Sequence, residues 1–154
     1  MAINIFVTDY GGRMKRFLKL LAITVTAGVL IALFAIMQAK VCFKGSESYT
    51  FFVGDTSKNC KEVTVSNSPE LRMLTLSSVC GECAEYSSGF DFNEYLKSVN
   101  GEIIFTETLS DSVNYYCKAD LPYSVKLYGE EINLHICVKK DSVKLASPII
   151  FGGY

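Results

Sequence analysis

The hydrophobic pattern divides the chain near residue 40. Leu20 to Ala39 reads LLAITVTAGVLIALFAIMQA and carries no charge. At about 1.5 Å per residue, a helix of this length spans roughly 30 Å, the thickness of a bilayer hydrocarbon core. Ten of these residues are Leu, Ile, Val or Phe, which favours insertion by roughly 3 to 6 kcal/mol. Thr24 and Thr26 weaken this little, because a threonine hydroxyl bonds back to its own helix.

Past residue 40 the periods shorten. Lys40 to Ser48 reads as a polar linker, and Tyr49–Val53 and Lys61–Ser66 read as strands. Ser68-Pro69-Glu70 marks a helix start with Pro at the first position, and the run after it fits neither period. Asp91–Val99 predicts a helix: Asp91 is a ready N-cap, Phe92, Tyr95, Leu96 and Val99 recur on one face, and Asn100-Gly101 ends it. Four strand-like runs follow, Glu102–Leu109, Val113–Ala119, Tyr123–Tyr128 and Glu131–Lys139. A last run, Val143–Phe151, contains Pro148 and so predicts an edge or bulged strand. In Glu131–Lys139, alternation places Ile132, Leu134, Ile136 and Val138 on one face and Asn133, His135 and Cys137 on the other. Short links force antiparallel neighbours. The predicted fold is α+β: a curved antiparallel β-meander with one or two helices on one face, preceded by an N-terminal transmembrane helix.

Charge orients this scheme. Arg13, Lys15, Arg16 and Lys19 flank the apolar run on its N-terminal side, with no acid among them. The positive-inside rule then puts residues 1–19 in the cytoplasm as a basic head, residues 20–39 in the membrane as a signal-anchor, and residues 49–154 outside. A cleaved signal peptide is the rival, but Met37-Gln38-Ala39 is a poor cleavage site. Met14 opens a good basic head and reads as the true initiator. From Lys40 onward there are eleven Lys or Arg against fifteen Asp or Glu, a balance of −4. That sign disfavours nucleic acid as a partner, since phosphate binding rests on clustered Lys and Arg. With 49% hydrophobic and 20% charged residues, the chain is not of disordered composition.

The candidate chemistry is in the cysteines. An extracytoplasmic location permits disulfides among Cys60, Cys80, Cys83, Cys117 and Cys137, and Cys42, beside the membrane, stands apart. Cys80-Gly81-Glu82-Cys83 is a CxxC, open to a structural disulfide or turn, to a redox pair, or to a metal site in which Cys80 and Cys83 join His135 and Cys137. His135 is the only histidine and has no nucleophile motif beside it. The carboxylates are scattered, and no GxSxG, P-loop or HExxH pattern occurs. The sequence therefore reads as non-enzymatic and calls for no cofactor.

One stretch carries a family likeness. Ile132-Asn133-Leu134-His135-Ile136-Cys137-Val138, followed by Lys144-Leu145-Ala146-Ser147-Pro148-Ile149-Ile150-Phe151-Gly152-Gly153-Tyr154, resembles the end of the YwmB family of Firmicutes proteins. The likeness covers the C-terminal quarter of the chain. It implies a TATA-box-binding-protein-like α+β fold behind an N-terminal signal or anchor. It implies no DNA binding, because fold does not carry function, and it supplies no catalytic residues. The expected function is a non-enzymatic, membrane-anchored envelope domain that binds a protein or wall component, with Tyr115, Tyr116, Tyr123 and Tyr128 as contact candidates. The alternatives are a thiol-redox or metal protein centred on the CxxC, and a nucleic-acid-binding domain.

Overall fold

The structure is a computed structural model and describes residues 4–38, 40–54 and 59–151. Met1–Ile3, the end of the predicted span at Ala39 and the final Gly152-Gly153-Tyr154 lie outside the described residues. The chain forms two compact units, residues 1–39 and 40–154.

The first unit is one helix, α1 (Asn4–Gln38). Gly12–Phe34 is long and apolar enough to cross a membrane, with a mean hydropathy of 2.3 over its most apolar eighteen residues. The helix begins well before the basic residues, so the apolar run is its continuation and not its start. Thr24 and Thr26 donate to the carbonyls of Leu20 and Ala22, at 3.0 and 2.9 Å, so both polar groups are satisfied inside the helix.

The second unit is α+β. Its strands are β1 (Ser48–Val53), β2 (Lys61–Val65), β3 (Val79–Ser87), β4 (Glu102–Thr108), β5 (Ser112–Lys118), β6 (Val125–Leu127), β7 (Glu130–Ile132), β8 (Leu134–Lys139) and β9 (Ser142–Ser147). Seven of them form one antiparallel sheet in the order β2-β1-β3-β9-β8-β5-β4, and β6-β7 is a separate hairpin. Helix α2 (Pro69–Met73) follows β2, and α3 (Phe92–Ser98) follows β3.

Helix α3 forms as its pattern predicts. The Asp91 carboxylate accepts from the backbone of Asn93 and Glu94, at 2.9 and 3.1 Å. Phe92, Tyr95, Leu96 and Val99 all pack against the core, whose buried centre includes Phe43, Phe51, Ala84, Tyr86, Cys117, Leu134, Ile136 and Leu145.

Three expectations need correction. β4, β5, β8 and β9 do run as a meander, but β3 docks on β9 and joins the N-terminal strands to it, so the whole sheet is not a meander. The last strand is not an edge. β9 lies between β3 and β8, and Pro148 follows it after a cis Ser147–Pro148 bond, where its missing N–H costs the ladder nothing. The edges are β2 and β4. Finally, the run 131–139 breaks at Asn133. Its amide donates to the Ala119 carbonyl and accepts from the Ala119 N–H, a side chain pairing like a strand. Leu134, Ile136 and Val138 keep the predicted core face, while Ile132 is buried on the small hairpin.

Candidate functional site

The CxxC lies within β3, a strand the sequence does not announce. Alternation along it puts Glu82, Ala84 and Tyr86 on the helix side and Cys83 and Glu85 on the other. Glu82 thus takes a core position, opposite Phe51 on β1 and Ser147 on β9, with 0% exposure. A carboxylate there must be hydrogen-bonded. Oε2 accepts from the Cys42 backbone N–H at 2.8 Å and from the Tyr49 hydroxyl, and Oε1 accepts from the Tyr123 hydroxyl at 3.0 Å. Tyr49 in turn accepts from the Phe43 N–H at 3.4 Å, so residues 42–43 are stitched to the carboxylate twice.

The electrostatics follow from that placement. Burial first, and the Glu82 carboxylate second, push the Cys42 thiol and the Tyr49 and Tyr123 phenols far above their ordinary ranges. The thiol and both phenols stay protonated at neutral pH. Cys42 is accordingly a poor nucleophile, because the reactive form is the thiolate.

Cys42 and Tyr123 also line an open cleft of about 690 Å³, together with Val41, Met73, Leu121 and Pro122, and with Lys40 and Asp120 at its margin. Its far wall, residues 119–123, is pinned along its length. Asn133 clamps Ala119, the Asp120 N–H donates to the Val99 carbonyl at 2.8 Å, Asn100 donates to the Asp120 carboxylate at 2.7 Å, and the Ser147 hydroxyl donates to the Tyr123 carbonyl at 3.4 Å. The result is a mostly apolar cleft with a buried carboxylate behind a tyrosine.

The sequence-predicted site residues are placed otherwise. Cys80 and Cys83 are three apart on a strand and so face opposite ways. The Cys80 thiol reaches the Phe52 carbonyl at 3.3 Å. Cys83 and His135 both stand opposite Ala146, one on each side of β9. Two strand spacings of about 4.8 Å separate them, whereas zinc ligands gather within about 2.3 Å of one ion. Cys137 is paired with Asn114 and Lys144, one step further along. No group of three metal-ligating side chains occurs among the described residues. The redox reading also lacks its setting: the motif is in a strand rather than at a helix N-terminus, and burial pushes the Cys83 thiol up to about 12.

The expected disulfides are likewise not there; none joins any of the described cysteines, Cys60, Cys80, Cys83, Cys117 and Cys137 included. Alternation explains the main case. Cys117 packs in the core on the helix side, while Cys83 and Cys137 face the other side with β9 between their strands.

His135 is fully buried on the side away from the helices. Its ring stacks on Tyr116 with 4.4 Å between centroids, Nδ1 accepts from the Ile150 N–H at 3.3 Å, and Nε2 lies 3.2 Å from Asn114 Oδ1. This pattern fixes the Nε2–H tautomer. Burial lowers its pKa to about 4, so the ring is neutral. The stack continues through Phe105 to Tyr128, which is 89% exposed. Of the four tyrosines taken as contact candidates, Tyr128 is open to solvent, Tyr115 packs on Phe92, Tyr116 is buried, and Tyr123 lines the cleft.

Sequence reasoning missed Glu82, which it treats as a spacer between cysteines. The available signal was the alternation Cys80, Glu82, Ala84, Tyr86, which sets an acid in an inward row. No family model matches this chain, and no curated protein and no solved structure matches it.

Proposed function

We propose that the chain is a membrane-tethered domain, outside the cytoplasm, that binds an envelope component in the cleft beside Glu82 without catalysing a reaction on it. The observation that carries this reading is the fully buried Glu82, held by three donors behind an open, mostly apolar cleft. Convergent polar groups at the back of an apolar hollow are the usual form of a ligand site. The basic residues on the N-terminal side of the uncharged run support the orientation, and the likeness of the C-terminal quarter to the YwmB family agrees with it. The protonated Cys42 thiol supports binding over covalent chemistry.

The location is tested by treating intact spheroplasts that express the full chain with a non-permeant protease. Residues 40–154 are digested without lysis, and a helical fragment stays in the membrane through an alkaline carbonate wash. Protection of the domain until lysis overturns the location. The binding role is tested by screening small-molecule fragments against the full chain in lipid nanodiscs; Leu121→Arg, which fills the cleft, abolishes the hits.

A further inference from the structure

We infer that the ligand of this cleft carries a primary ammonium group on an aliphatic body, and that the ammonium pairs with Glu82 Oε1 when the Tyr123 hydroxyl gives way. The inference rests on the reading of the cleft as a binding site and names the chemistry of its occupant.

Charge balance is the first argument. Burying a carboxylate costs several kcal/mol, which a nearby cation ordinarily offsets. Around Glu82 the donors are all neutral: one backbone N–H and two phenols. The side-chain ion pairs among the described residues, Lys139–Asp111 and Lys144–Glu85, lie elsewhere. Among the described residues no side-chain cation pairs with this carboxylate, which stands behind an open, mostly apolar cleft.

Access is the second. Oε2 is engaged twice, by the Cys42 backbone and by the buried Tyr49. Oε1 is engaged by Tyr123, which is half-buried, lines the cleft and sits in the irregular segment between β5 and β6. Rotation of this side chain is the smallest change that opens the carboxylate to the cleft. Its ring then remains beside the incoming cation, where an aromatic face adds attraction.

Shape separates the candidate cations. A guanidinium pairs best as a fork, with two N–H groups on two carboxylate oxygens. Here only one oxygen is available. An ammonium is a compact charge that needs one. Val41, Met73, Leu121 and Pro122 offer an aliphatic chain an apolar wall, and the Asp120 carboxylate at the margin adds to the negative field, against the single Lys40.

The test uses the full chain in phosphatidylcholine nanodiscs, with empty nanodiscs subtracted, and titrates n-hexylamine, n-pentylguanidine and 1-hexanol at pH 7.5 by calorimetry. Hexylamine is expected to bind about tenfold more tightly than hexanol, and more tightly than the guanidine. Glu82→Gln, which keeps the shape and an acceptor oxygen, brings amine and alcohol to parity. Tyr123→Phe, which removes the competing hydroxyl, strengthens the amine a few-fold. Equal binding of amine and alcohol to the wild-type chain overturns the ammonium while leaving the cleft a binding site. Binding of none of the three probes overturns both readings. The wild-type comparison decides the matter even if Glu82→Gln does not fold.

Discussion

Glu82 and His135 are both fully buried in one sheet, on opposite faces, and the chain treats them in opposite ways. Glu82 is met by three donors, so both of its buried oxygens are hydrogen-bonded. His135 is stacked on Tyr116 and capped at Nδ1 by a backbone N–H, the arrangement that favours a neutral ring. The first opens through Tyr123 onto a cleft. The second is closed over by the residues after β9, and the amide nitrogen of its neighbour Asn114 has no hydrogen-bond partner. Burial alone therefore does not mark a working site. What sets the proposed site apart is a buried carboxylate together with a way in.

The largest expected effect breaks the comparison at Glu82. Glu82→Leu strips the acceptor from Tyr49 and from the Cys42 N–H; at about 1 to 3 kcal/mol per orphaned group, unfolding in urea should show a loss of about 4 kcal/mol. A loss under about 1 kcal/mol would mean the network is ornamental.

Gly81 tests the joint between the two faces. A Cβ there would stand 2.8 Å from the Ser147 carbonyl oxygen and 3.1 Å from Pro148. Gly81→Ala should cost about 2 to 3 kcal/mol through overpacking. It should also weaken ligand binding, because Ser147 holds the Tyr123 carbonyl.

The pH dependence sharpens the His135 side. Its folded pKa of about 4 lies below the ordinary 6.5, so the unfolded chain takes up a proton where the folded one does not. Stability is complete above about pH 6.5 and falls as the pH drops toward 4. Between pH 7 and 5 the loss attributable to this group is about 2 kcal/mol. Urea titrations at both pH values should show it, and His135→Gln should flatten that part of the slope. An unchanged slope in the variant would place the acid sensitivity elsewhere. The smallest effect serves as a control outside both sites: Asp91→Ala removes the α3 cap and costs about 1 kcal/mol, with ligand affinity unchanged.

These sites differ in how far the sequence exposes them. Helix α3, the hairpin of β1 with β2 and the core face of β8 depend on neighbours a few residues away, so spacing and alternation reveal them. β3 does not show itself, because its inward row carries Glu82 where a strand ordinarily places an apolar residue, and its register shifts beside Val79. β9 reads as an edge because Pro148 is close, and only its distant partner β3 shows otherwise. The tetrad Cys80, Cys83, His135 and Cys137 is suggested by residue type, but type carries no information about the strand that intervenes. In the CxxC it is the middle pair that matters: Gly81 for the close approach of Ser147, Glu82 for the cleft.

The β3–β9 ladder bears on how the domain is made. It closes a loop of more than fifty residues, from Ser87 to Ser142, so its pairing carries a loop-closure penalty that local hairpins avoid. During synthesis β1, β2 and β3 emerge early, yet one side of β3 has no partner until residues 142–147 arrive near the end of the chain. For that interval the domain presents a raw strand edge with an incompletely buried acid on it. A charge at that position discourages edge-to-edge pairing with other chains. The residue proposed to receive a cation in the finished cleft is thus also the carboxylate carried on that nascent edge.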